Sequence, residues 1–220
     1  MTAVWGPLGW MTLHTISVNY PDNPSTADKL ILKKFMDLFA ETIACPSCKG
    51  DFTNMYKTYT SRNPAWANSK YELFLFVVRA HNTVNKKIDK PRPATVSEAL
   101  ESLRIATKDK SPKEYRAGYI TYLYHNWSRM GGGEGFIQTG HVRELQKINN
   151  EYWNPRETGF SITFPEADVL QLVVPTPTVQ MYPYTYKATA TTSVEQTEPS
   201  KKNPSIGLVF KDGRLKLASR

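Results

Sequence analysis

The sequence predicts a mainly α-helical protein: a four-helix bundle with a short fifth helix over residues 1–110, an additional helical region over 111–157, and a Pro/Thr/Tyr-rich, partly extended tail over 158–220 ending in a hairpin. Three observations predict it. Apolar residues recur at helical spacing in successive segments of the first 110 residues, and prolines and glycines fall between those segments. Near residue 158 the texture changes, and alternation replaces the helical period.

The first helix covers residues 4–19, with Trp5, Leu8, Leu13, Ile16 and Val18 near helical spacing, and Pro21 and Pro24 close it. A second, over 25–44, opens on Ser25 and Thr26 as caps. It carries the stripe Leu30, Ile31, Leu32, Phe35, Met36, Leu38 and Phe39. A third follows Cys45-Pro46-Ser47-Cys48 through Phe52, Met55 and Tyr59 and breaks at Asn63-Pro64. The fourth, residues 66–88, buries Trp66, Tyr71, Leu73, Phe74, Phe76, Val77 and Val78 and ends ahead of Pro91 and Pro93. Thr95 or Ser97 caps a fifth over 95–107, with Glu98 in its first turn. Residues 111–130 make one or two further helices up to Gly131-Gly132-Gly133, and 134–153 add another. Phe160, Ile162 and Phe164 alternate as in a strand. Ile206–Phe210, Lys211-Asp212-Gly213 and Arg214–Leu217 have the composition of a hairpin with an Asp-Gly turn.

Composition excludes several classes. The formal charge of +8 and pI near 9.4 come from scattered lysines, with no groove-reading motif, so nucleic-acid binding is not expected. No window approaches the roughly 20 apolar residues of a membrane span, and no basic-then-apolar leader with a cleavage site opens the chain, which reads as soluble. The two cysteines, three apart, make neither a disulfide scaffold nor a four-cysteine metal site. No metal is expected.

A Cys-x-x-Cys at a helix start places the first sulfur near positive partial charge and unpaired amides, which favours the thiolate that attacks disulfides. A thioredoxin-like site needs a βαβ surround, whereas this pair lies between apolar helices; a zinc site needs two further ligands. Four ordered blocks accompany the pair: Trp5-Gly6-Pro7-x-x-Trp10-x-x-Leu13-His14, Tyr20-Pro21, Cys45-Pro46-Ser47-Cys48-x-x-x-Phe52 and His81-Asn82-x-Val84-Asn85-x-Lys87. In this the sequence resembles the Erv/ALR-type FAD-linked sulfhydryl oxidases over residues 5 to about 93.

The resemblance implies a helical bundle holding FAD in its mouth, with Cys45 and Cys48 catalytic. Cys45 exchanges with the incoming thiol, and Cys48 resolves the mixed disulfide and delivers the electron pair to the flavin. It places Gly6, Trp10, His14, Tyr20, Cys48, His81, Asn82, Val84, Asn85, Lys87 and Lys90 at the cofactor. Trp10 and His14 share one face of the first helix, and His81, Asn82 and Asn85 are related as i, i+1 and i+4 on the fourth. Gly6 allows close backbone approach, and the lysines suit the diphosphate, although both read equally as solvated surface residues. Taken singly, Trp10, His14 and Tyr20 read as core residues; the joint pattern assigns them to the site. His125-Asn126 lacks the rest of the fourth-helix motif, and His141 has no partner in sequence.

The chain departs from the family in three respects. Many relatives staple the fourth and fifth helices by a disulfide whose positions here are Val78 and Thr95, so core packing must hold the fifth helix. A second, shuttling cysteine pair is absent, so protein thiols reach Cys45 directly or through a thioredoxin-like carrier. The fifth helix lacks the family's adenine-side tryptophan, leaving Tyr115, Tyr119 or Trp127 as substitutes. The expected activity is disulfide formation in protein substrates, with electrons passing to molecular oxygen to give hydrogen peroxide; the alternative is a virion assembly or scaffold protein on a retained oxidase fold. A minimal core with an unrelated tail is similar in layout to virus-encoded members, which places the protein in host cytoplasm or virion, or otherwise in an oxidising compartment such as the mitochondrial intermembrane space. Family analogy also implies a homodimer.

Overall fold

The computed structural model describes residues 2–171, Val173 and the strand residues 208–211 and 214–217. Seven α-helices occur among them: α1 Thr2–Asn19, α2 Thr26–Thr42, α3 Pro46–Arg62, α4 Lys70–Lys87, α5 Val96–Ala106, α6 Pro112–Ser128 and α7 Gly132–Ile148. α7 runs on through a π turn, Asn149–Trp153, and a tight turn, Asn154–Arg156. The mainly helical fold class is as the sequence predicts.

Local chemistry sets most boundaries. Ser25 with Asp28 and Ser111 with Glu114 form capping boxes at α2 and α6, while Thr95 caps α5 through the Glu98 amide. α4 starts later than the apolar pattern suggests: the Ser69 hydroxyl accepts from the Glu72 amide at 3.2 Å, and Trp66 lies in the turn ahead of that cap. Gly131 and Gly132, with φ of 65° and 66°, make the reversal into α7, a backbone shape that costs glycine little.

α1 is the central element. Every residue from Met11 to Tyr20 is buried, because α4 covers one side and α6 another. The polar members of that run are accommodated within the helix: the Thr15 hydroxyl donates to the Thr12 carbonyl at 2.8 Å and that of Ser17 to the His14 carbonyl at 2.7 Å. At Gly9 a Cβ would come within 3.1 Å of the Tyr119 ring, so even a methyl group there would require that ring to give by a few tenths of an ångström. One apolar cluster joins α1, α2, α3 and α4 to Tyr119, Leu123 and Trp127 of α6 and Val142 and Leu145 of α7. Trp127 also donates its indole N–H to the Thr42 carbonyl at 2.9 Å, tying α6 to the end of α2. The fully buried Arg116 guanidinium is held by Asn149 at 2.9 Å, Asn154 at 3.1 Å and the Glu157 carboxylate. A buried arginine requires such a partner set.

A second cluster fills the space between α4 and α5. Val78, at one of the positions that relatives staple, is 1% exposed and packs with Val96, Ala99, Leu100, Leu103, Phe160 and Val169. Core packing holds α5, aided by residues 158–171, which cross α4 and α5 as a strap. The alternating Phe160, Ile162 and Phe164 do not form the expected strand. Their side chains pack inward, but the Phe160 and Ile162 carbonyls accept from the Arg104 guanidinium at 2.9 and 3.0 Å, so an arginine stands where a neighbouring strand would. Further along, Thr95 and Asp168 form an isolated antiparallel bridge, and Arg79 donates to the Asp168 carbonyl at 3.0 Å.

Contacts divide the chain into compact units of Met1–Pro177 and Thr178–Arg220. Within the second, β1 (Leu208–Lys211) pairs antiparallel with β2 (Arg214–Leu217), Phe210 opposite Leu215, at the place the hairpin is expected. Its Asp212-Gly213 turn and the Pro/Thr/Tyr-rich stretch of residues 174–204 lie outside the described residues.

Because Phe160 is 3% exposed and anchors the strap, Phe160→Ala is expected to destabilise the protein by about 3 kcal/mol. Urea unfolding measures the loss, and amide exchange over residues 160–171 is expected to accelerate more than exchange in α1.

Candidate active site

Cys45 and Cys48 are joined as a disulfide at the start of α3. Cys45 is the N-cap, with extended backbone, and Pro46 occupies the first helical position, where a missing N–H costs nothing. The Cys45 sulfur accepts from the Cys48 amide at 3.3 Å and lies 3.3 Å from the Ser47 hydroxyl. Negative charge developing on that sulfur during exchange is favoured by the first-turn amides and the positive end of α3. Both cysteines are part-buried against the main cluster, and Phe52 follows Cys48 by one helical turn on the same face.

Phe52 leads to the remaining residues. Its ring meets Trp10 edge-on at 6.3 Å, and Trp10 stacks on His81 at 4.4 Å with planes 8° apart. His81 Nδ1 lies 3.0 Å from His14 Nε2, one imidazole donating to the other. Thus α1, α3 and α4 bring Trp10, His14 and His81 together beside the disulfide's helix. The other ring nitrogen of His14 is buried and finds no partner among the described residues. Burial first, and His81 second, hold the His14 pKa well below its ordinary value. Burial, then the Lys90 charge, push His81 down to about 4.

The other sequence-predicted positions are spread more widely. His81, Asn82 and Asn85 divide, because consecutive helical residues are turned about 100° apart. Asn82 faces away from the imidazoles, and its Nδ2 donates to the Pro93 and Val169 carbonyls, each at 2.9 Å. Asn85 Nδ2 donates to the Pro91 carbonyl at 3.2 Å. Both asparagines therefore hold the α4–α5 connection. Val84 is part-buried against the main cluster. Lys87 pairs with Asp51 of α3 at 2.5 Å. A Cβ at Gly6 would meet nothing within 4 Å, so no protein atom makes close approach there. Tyr20 sits about 15 Å further along α1 than Trp10, at 1.5 Å per residue. It is fully buried, near Trp153, and its hydroxyl donates to the Ala67 carbonyl at 3.1 Å.

At the C-terminal end of α4 the chain reverses with Asp89 at φ 52°, and the Lys90 amide donates back to the Asn85 carbonyl at 2.8 Å. This turn sets Lys90 on a cavity of about 370 Å³ lined also by Lys86, Asp89, Pro91, Arg92 and Leu170. Lys86 and Arg92 were not singled out from the sequence; the cationic spacing Lys86, Lys90, Arg92 was the available signal. The three aromatic residues expected to substitute for the missing tryptophan are engaged elsewhere. Tyr115 donates to the Ala106 carbonyl at 2.8 Å, Tyr119 stacks on Phe39, and Trp127 bonds Thr42.

The depressed pKa of His81 fixes the sign of a pH effect. An unfolded chain, with His81 near 6.5, binds a proton that the folded chain refuses until about pH 4. Stability therefore rises with pH across that window and is lost as pH falls through it. Denaturation midpoints measured from about pH 7 down to about pH 4.5 are expected to fall in the wild type, and to fall less steeply in His81→Gln.

Residues 8–104 match the Erv1 / Alr family. The mitochondrial FAD-linked sulfhydryl oxidase ERV1 of Saccharomyces cerevisiae is 33% identical over 87 residues, 40% of this chain and 44% of that protein. FAD-linked sulfhydryl oxidase ERV1 of Arabidopsis thaliana is 31% identical over 85 residues, 39% of this chain and 42% of the relative. The probable FAD-linked sulfhydryl oxidase R368 of Acanthamoeba polyphaga mimivirus is 26% identical over 116 residues, 53% of this chain and 80% of the viral protein. The chain thus spans less than half the length of the yeast and plant relatives. No solved structure matches it. Residues 8–104, the stretch similar to the Erv1 / Alr family, carry the cysteine pair and the Trp10, His14 and His81 cluster.

Proposed function

We propose that the chain is an FAD-dependent thiol oxidase that forms disulfides in protein substrates. The observation that carries the proposal is the Trp10–His81–His14 cluster, which meets through Phe52 the helix that the Cys45–Cys48 disulfide opens. The residues fit a flavin. Trp10 and His81 are flat rings suited to a planar aromatic system, and the buried nitrogen of His14, unpartnered among the described residues, suits a polar ring edge. Lys90 and its cationic neighbours suit phosphate. Trp10, His14, His81, Val84 and Lys90 would hold the group. Gly6 leaves backbone open to it, Asn82 and Asn85 would act by fixing the connection that carries Lys90, and Lys87 would be freed to it from Asp51. Tyr20 would serve by setting the packing of α1. FAD supplies a two-electron acceptor that passes the pair to molecular oxygen, giving hydrogen peroxide.

The exchange itself belongs to the cysteines. A substrate thiolate attacks the Cys45 sulfur, the Cys45–Cys48 bond breaks, and Cys48 leaves as a thiolate. A second substrate thiolate, and not Cys48 as the resemblance implied, resolves the mixed disulfide, because attack by Cys48 would only remake the Cys45–Cys48 bond; it attacks the substrate sulfur, closing the substrate disulfide and releasing Cys45 as a thiolate. Two electrons remain on the Cys45–Cys48 pair, and Cys48, on the Phe52 face of α3, is the sulfur on the cofactor side. With both pKa values lowered, His14 and His81 are neutral near pH 7, one imidazole donating to the other, and neither adds a charge to the site. With only these two cysteines in the chain, the reductant is the protein substrate itself or a thioredoxin-like carrier. The viral layout favours work in host cytoplasm or virion, and a homodimer is proposed by family analogy.

Purified protein is expected to be yellow and to consume oxygen with a dithiol. Cys45→Ser and Cys48→Ser are each expected to lower turnover at least about a thousandfold, because the two sulfurs act as one unit. Colourless, correctly folded protein that takes up no FAD would refute the proposal. Removing residues 178–220 separates the assembly alternative: turnover is expected to persist, since the cysteines and the aromatic cluster lie in the first compact unit.

A further inference from the structure

We infer that the strap residues Asp168–Gln171 complete a seat for the adenosine-phosphate half of the dinucleotide, with Leu170 as its apolar wall and Lys86, Lys90 and Arg92 as its phosphate partners. The inference rests on the oxidase proposal and deepens it. Two cavities adjoin the end of α4 and share Pro91 and Arg92. The larger, about 430 Å³, also carries Glu98 and Glu101, whose charge opposes a phosphate. The other, about 370 Å³, presents Lys86, Lys90 and Arg92 against a single carboxylate, Asp89. That carboxylate is an acceptor suited to a ribose hydroxyl.

Leu170 is the unusual member of this lining. It is 37% exposed among cations, while its neighbour Val169 is fully buried. Its position is fixed. Its amide donates to Asp168 Oδ1 at 2.8 Å, the Val169 amide donates to the Ala94 carbonyl at 3.2 Å, and the Val173 amide donates to Thr83 Oγ1 at 3.1 Å. A pinned apolar side chain facing a cationic hollow matches a ligand with a flat apolar ring and a phosphate chain. The hollow lies at the C-terminal end of α4, the helix that also carries His81. α5 offers no aromatic residue of its own, so the strap supplies the wall from beyond residue 104, the end of the family match.

Binding of FAD and of FMN to the apo-protein, followed by flavin fluorescence, tests this directly. Leu170→Asp is expected to weaken FAD about tenfold or more, while FMN, which lacks the adenosine half, stays within about twofold of wild type. Lys86→Ala is expected to show the same asymmetry. Both positions are solvent-facing, so thermal melts of the apo-protein are expected to match wild type. FAD affinity unchanged in both variants overturns the inference, as does equal weakening of FAD and FMN. Wild-type protein that binds neither flavin overturns the oxidase proposal, and the seat with it.

Discussion

Asn82 is the pin on which much of this molecule turns. Its amide nitrogen donates to the carbonyl oxygens of Pro93 and Val169, each 2.9 Å away, and the residue is 1% exposed. One buried side chain therefore joins α4, the connection into α5, and the strap. Losing it would remove the Asn82 hydrogen bond from the buried Val169 carbonyl and the part-buried Pro93 carbonyl, which is the expensive way to break a hydrogen bond. Because His81 precedes it on the same turn, whatever fixes Asn82 outward also fixes His81 inward, against Trp10 and His14. Strap, fifth helix and aromatic cluster are in this sense opposite sides of one turn of α4.

Much of the helical architecture was legible in the sequence because its signals are local. Ser25 with Asp28, Pro46, Thr95 with Glu98, Ser111 with Glu114 and the triple glycine each announce a boundary through chemistry within a few residues. What sequence periodicity did not reveal is that α1 is buried all round from Met11 to Tyr20. Thr12, His14, Thr15, Ser17 and Asn19 resemble a solvent face until α6 is seen to lie over the helix. The strap shows the complementary limit. Alternation of Phe160, Ile162 and Phe164 correctly implied an extended, half-buried chain, but a period of two cannot say what meets the carbonyls. That partner is Arg104, in the last turn of a helix more than fifty residues earlier.

The site was legible to a similar depth. The cysteine pair, Trp10, His14 and His81 announce themselves together, and the structure brings the three rings into contact. The i, i+1, i+4 grouping of His81, Asn82 and Asn85 carried no information about which neighbour would claim the asparagines, since that depends on a proline-rich connection and a strap distant in sequence. Lys86 and Arg92 escaped notice for a related reason: only the left-handed turn at Asp89 gathers them with Lys90.

The way α5 is held has a further consequence. Around Val78 and Thr95 apolar packing and carbonyl hydrogen bonds hold α5 without a covalent bridge, and both cysteines of the sequence are in the Cys45–Cys48 disulfide. The scaffold is in that respect blind to redox state. Reduction of the Cys45–Cys48 bridge leaves the contacts that hold α5 in place, and a thiol reagent meets no second disulfide in the sequence.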